Sequence, residues 1–137
     1  MAKRIDGKQI AGEIRGELTG KVATFRAANG FAPGLAVIIV GENPASKVYV
    51  RNKQRACEEV GIVSTVIELP EDTDEEELLS VVAELNADTG VHGILVQLPL
   101  PRHLDTEKVL LSIDPRKDVD AFHPYNVGRI MIDDYDF

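Results

Sequence analysis

Leu35-Ala36-Val37-Ile38-Ile39-Val40 stands between Pro33-Gly34 and Gly41 as an unbroken aliphatic run. A strand with one wet face alternates polar and apolar residues. This run does not, so it reads as a strand covered on both faces, the signature of a parallel sheet. Downstream, Gly41-Glu42-Asn43-Pro44 is a turn, and residues 45–60 read as a helix closed by Gly61. Residues 62–69, with Val63, Thr65 and Ile67 alternating ahead of Pro70, predict a second strand. Thr73-Asp74-Glu75-Glu76 fits a capping box, and Leu78, Leu79, Val82 and Leu85 supply the helical face behind it. The acidic run 71–77 is then helix N-terminus chemistry, favoured by the dipole. Gly93-Ile94-Leu95-Val96-Gln97 reads as a third strand, broken by Pro99 and Pro101, before a short helix from about Thr106. Residues 112–137 read as polar and turn-rich. Upstream, Ile10, Ile14, Leu18, Val22 and Phe25 have helical spacing, stopped at Asn29-Gly30. Gly12, Gly16 and Gly20 recur on that helix, each costing about 1 kcal/mol relative to Ala. Close packing on a neighbouring element would explain them.

The order α-β-α-β-α-β-α implies right-handed crossovers and an α/β fold: an open parallel sheet in three layers, with helices on both faces. Composition agrees. The 137 residues are 44% hydrophobic and 28% charged, the range of an ordinary single globular domain. Aromatic residues make up only 5% and Trp is absent, so the core must rest on Val, Ile, Leu and Ala. Fifteen Lys+Arg against 23 Asp+Glu leave a net charge of -8, which repels phosphate backbones and argues against nucleic-acid or anionic-membrane partners. The longest apolar stretch, 35–40, is far short of the roughly 20 residues of a membrane span. No secretory signal is visible at Met1-Ala2-Lys3-Arg4, so a cytoplasmic protein is expected. Cys57 is the single cysteine, which excludes an intrachain disulfide. His92, His103 and His123 show no metal-ligand spacing.

In open α/β sheets ligands bind beyond the carboxyl ends of the strands. Tyr49 and Lys53, four apart on the helix after the first strand, share a face. An amine beside a phenol in a partly apolar cleft can relay protons; a surface lysine beside a half-buried tyrosine is the plainer alternative. Gln97 ends the third strand, and its amide needs a partner. The following Leu98-Pro99-Leu100-Pro101 presents carbonyls at fixed φ, suited to a donor-rich heterocycle or simply to a rigid turn. Lys117-Asp118-Val119-Asp120 places two acids on one side of an alternating stretch, able to bind an amidine-like edge or to form a solvated turn. No phosphate-binding glycine motif follows a strand. Gly41-Glu42-Asn43-Pro44 is the nearest candidate, and it lacks the glycines a pyrophosphate needs.

Taken together these segments are far more specific. Val40-Gly41-Glu42-Asn43-Pro44-Ala45-Ser46-Lys47-Val48-Tyr49-Val50-Arg51-Asn52-Lys53, then Gly93-Ile94-Leu95-Val96-Gln97-Leu98-Pro99-Leu100-Pro101, then Lys117-Asp118-Val119-Asp120 with Phe122-His123-Pro124-Tyr125-Asn126-Val127-Gly128, occur in that order. This series resembles the bifunctional methylenetetrahydrofolate dehydrogenase/cyclohydrolase family, bacterial type, over about residues 5–128. The resemblance implies a catalytic set of Lys53, Gln97 and Tyr49. It also implies a substrate-binding set of Ser46, Tyr49, Gln97, Leu98, Pro99, Leu100 and Asp120. Lys53 matches the lysine that handles protons at the one-carbon bridge, and Gln97 the glutamine that tunes it. Tyr49 matches the tyrosine packed on the aminobenzoyl group, and Asp120 the carboxylate on the pterin edge. Tetrahydrofolate derivatives are the implied ligands, NADP the implied cofactor of the whole family enzyme, and a homodimer its assembly.

Two departures matter. Residues 1–128 match the folate-binding catalytic domain and 129–137 the start of a connection, while the NADP-binding Rossmann domain is not matched by any of these residues. Dehydrogenase turnover is therefore not expected from this chain alone. Ala121 stands where the family has Gly; a positive φ there would strain alanine by roughly 1 kcal/mol or more. Two competing readings remain at this point: a folate-binding or docking module without catalysis, and the substrate domain of another two-domain dehydrogenase.

Overall fold

The computed structural model describes residues 5–135. Helix α1 (Gly7–Asn29) precedes strand β1 (Gly34–Val40), followed by α2 (Pro44–Val60), β2 (Val63–Leu69), α3 (Glu75–Ala87), β3 (Gly93–Val96), α4 (Thr106–Ser112) and α5 (Pro124–Met131). The three strands form one parallel sheet in the order β2-β1-β3, with Val37 opposite both Val66 and Leu95. The expected three-layer α/β architecture is present.

The aliphatic run is central, as its composition required. Ile38 and Val40 face one core with Ile94 and Val96, where Leu78 and Val82 of α3 and Val109 of α4 pack. Val37 and Ile39 face the other, with Leu95 and Val50 of α2. β2 is an edge strand, and its alternation is only half used: Val63 lies open, whereas Ile67 and Leu69 pack on the first core.

Capping fixes the helix ends. Asn43 accepts from the backbone N–H groups of Ala45 and Ser46 with Pro44 in the first turn, and Gly61 at φ 88 closes α2. α3 departs from expectation at its start. The cap is Asp74, whose carboxylate accepts from Glu77 N at 2.8 Å. Thr73 is buried with its hydroxyl unpartnered.

Two further expectations are corrected. The expected turn-rich stretch 112–137, of which 136–137 lie outside the described residues, contains α5, capped by His123 Nδ1, which accepts from Tyr125 N at 3.2 Å. Pro124 at the helix start was the available signal, obscured by Gly128 inside so short an element. The glycines of α1 do not pack on a neighbour, since a β-carbon at Gly12, Gly16 or Gly20 would meet open space. α1 rests on α2 through Val22 and the Arg15–Glu59 ion pair at 3.1 Å, leaving Ile10, Ile14, Leu18 and Phe25 between 37% and 51% exposed. Among the described residues, no helix is long and apolar enough to cross a membrane.

Candidate active site

The carboxyl ends of β1 and β3 deliver the sequence-predicted residues to one edge. Val40 ends β1, Gly41 turns the chain at φ 83, and the first turns of α2 bring Ser46, Tyr49 and Lys53 to that edge. β3 stops at Val96, one residue short of the expected Gln97. The ladder nevertheless continues for one bond, from Gln97 N to Ile38 O at 2.8 Å. That bond fixes the Gln97 backbone, and its side chain is held at both ends. Nε2 donates to Leu98 O at 2.9 Å, while Oε1 accepts from Lys53 Nζ at 3.0 Å. Because Nε2 is committed to a carbonyl, Oε1 is the atom turned toward the amine. The Leu98–Pro99 peptide is cis. Leu100 is buried in the first core, and Pro99 lies open.

Tyr49 is 62% exposed beside Lys53, an aromatic face available for stacking. Ser46 is only 4% exposed and offers a ligand little surface.

The two acids of the third segment do not share a side. Asp118 is buried at 7% exposure, and its carboxylate accepts from Phe122 N at 3.3 Å, His123 N at 2.8 Å and Asn126 Nδ2 at 3.1 Å. Asp120 stays at the surface. Partial loss of water pushes its carboxyl above the usual aspartate range; the Lys53 ammonium opposes that rise and the Asp118 charge adds to it. Asp120 is thus within electrostatic reach of Lys53. Period-2 extrapolation failed here because the chain turns, and Ala121 takes φ 54. Lys117 points away and donates to the carbonyls of Leu85, Asn86 and Asp88, closing the end of α3. Sequence reasoning missed the roles of Lys117 and Asn126; a buried polar anchor has no periodic signature.

The one loop resembling a phosphate cradle does not fit a dinucleotide. The Glu71 carboxylate lies close to Gly41, where a β-carbon would meet it. The N–H groups of Ala45 and Ser46 are taken by Asn43. Among the described residues no cluster of three His, Cys, Asp or Glu could hold a metal ion.

Residues 5–120 match the model of the tetrahydrofolate dehydrogenase/cyclohydrolase catalytic domain. The chain belongs to this family. It is similar to the bifunctional protein FolD of Geotalea daltonii, 61% identical over 132 residues, which covers 96% of this chain and 47% of that protein. The crystal structure of the Campylobacter jejuni bifunctional FolD enzyme superposes with a TM-score of 0.89 at 50% identity, over 93% of this chain and 45% of that one. The Trypanosoma brucei methylenetetrahydrofolate dehydrogenase-cyclohydrolase, complexed with NADP cofactor and inhibitor, gives 0.92 at 41% identity, over 96% and 44%. The chain therefore spans under half the length of these relatives.

Proposed function

We propose that this chain is the folate-binding catalytic half of a methylenetetrahydrofolate dehydrogenase/methenyltetrahydrofolate cyclohydrolase, with residues 1–128 as its functional unit and 129–137 leading out of it. The observation that carries the reading is the Lys53 Nζ–Gln97 Oε1 bond of 3.0 Å with Asp120 in electrostatic range, at the sheet edge where the topology puts ligands.

In this reading Asp120 accepts hydrogen bonds from the donor edge of the pterin, and Tyr49 stacks on the aminobenzoyl ring. Gln97 keeps the amine of Lys53 aimed at the bridging carbon. In methenyl hydrolysis, water adds to that carbon of the cation, and Lys53 in its neutral amine form takes the proton it releases. The hydroxylated intermediate then collapses: the bond from the bridging carbon to N5 breaks, N5 receives a proton, and 10-formyltetrahydrofolate leaves. The hydride step of the whole enzymes uses NADP, for which the Gly41 loop is unsuited, so no step through it is assigned to these residues.

The decay of methenyltetrahydrofolate absorbance, corrected for buffer-catalysed hydrolysis, tests the assignment. Acceleration by this chain that is lost in Lys53→Met supports it. Equal rates from the two proteins would favour the competing reading, a folate-binding module without catalysis.

A further inference from the structure

We propose that Asp118 and Asn126 are positioning residues of the folate site: their buried carboxylate–amide pair holds the turn 118–123 that presents Asp120. The inference rests on the reading of Asp120 as the pterin anchor and concerns what aims it.

Asp120 sits at the apex of an irregular turn, where a carboxylate would ordinarily swing freely in solvent. The turn is tied at three points. At its start, Ile94 N donates to Lys117 O at 2.7 Å and Asp118 bridges to Ile94, joining the loop to β3. Beside it, Val119 packs where a β-carbon on Gly93 would fall 2.5 Å from Val119 Cγ1, so only glycine lets the loop lie this close. At its end, the Asp118 carboxylate gathers Phe122 N, His123 N and Asn126 Nδ2, and Asn126 Nδ2 also donates to Pro115 O at 2.7 Å. The third tie depends on side chains alone.

Asn126 is fully buried and stands in the first turn of α5, so the amide clips the helix to both ends of the loop. Asp118 joins β3 through an isolated bridge to Ile94, outside the three paired strands that build the sheet. Removing the amide leaves a buried carboxylate short of a donor, and the cheapest relief is to open the turn to water. Relief of that kind moves Asp120 and leaves the sheet intact. Acting through Asp120, Asn126 should matter to binding only while Asp120 is present.

Calorimetric titration of 5-formyltetrahydrofolate into the wild-type chain, Asp120→Ala, Asn126→Ala and the double variant reads this out. The expected result is affinity weakened about tenfold or more in each single variant, with the double variant no weaker than Asp120→Ala. An Asn126→Ala chain that binds as the wild type does, or a loss that adds in full to that of Asp120→Ala, would overturn the proposal. Should Asp120→Ala bind as well as wild type, the pterin-anchor reading itself falls and takes this inference with it. Hydrogen exchange on the wild-type chain gives a check that needs no variant. Ligand-free protection of the Phe122 and His123 amides comparable to that of Ile94 supports a preformed turn; protection that arises only with ligand contradicts it.

Discussion

Lys53 and Gln97 are 44 residues apart in sequence and share one hydrogen bond, while Asp120 completes the group from a third segment. Asp120 carries a cost in this position. Its folded pKa lies above its ordinary value of 3.8, so its contribution to stability is fully present below that pH and is lost as pH rises through the higher folded value. Asp120→Asn is therefore expected to melt higher than wild type at pH 7, with the gain vanishing below pH 3.8, and to bind reduced folates more weakly. Thermal melts across pH check the first part, and a variant less stable at neutral pH would contradict it. Ala121 is the second residue-scale test. Alanine at φ 54 carries strain of about 1–2 kcal/mol, and glycine's unfolded-state freedom offsets about 0.4–1 kcal/mol of any relief. Ala121→Gly should raise stability by a net ~0.5–1 kcal/mol in urea denaturation. That strain was legible in advance only as a condition, because the family resemblance named the position and the backbone alone could supply its φ.

Among the elements, α3 shows what sequence chemistry can and cannot assign. Thr73 and Asp74 are both good cap residues, and a capping box can be written from either. The structure gives the cap to Asp74 and buries the Thr73 hydroxyl without a partner. Asp74→Ala should cost about 1 kcal/mol of stability, whereas Thr73→Val, similar in shape, should cost nothing or stabilise slightly. Equilibrium denaturation of the two variants distinguishes them; the reverse order would restore the cap to Thr73. The strands were legible because β1 is buried on both faces and must be uniformly aliphatic. The inward turn of Asp118 was not, since a period-2 rule holds only while the backbone stays extended. α5 was hidden for a related reason: an eight-residue helix with an internal glycine offers too few repeats for its period to show.

At the scale of the whole molecule, the sheet edge that receives Lys53, Gln97 and Asp120 follows from topology, and the order of the three motifs was readable in the amino-acid sequence. What covers α1 was not readable. A stripe of Ile10, Ile14, Leu18 and Phe25 says which face is apolar and nothing about its neighbour, and the open space around Gly12, Gly16 and Gly20 shows that spacing alone does not imply contact. The commitment of the Ala45 and Ser46 N–H groups to Asn43 bears on the cofactor. Methylenetetrahydrofolate and NADP added to this chain should give no NADPH absorbance, and a protein-dependent rise would contradict that expectation. Lys53, Gln97 and Asp120 are proposed to form a folate site within this chain. The most direct test follows backbone amide resonances while 5-formyltetrahydrofolate is titrated in. Shifts concentrated at Tyr49, Lys53, Gln97, Leu98 and Asp120 are expected. Shifts confined to the hollow between α1 and α2, around Val22 and Gly61, would contradict the proposed site.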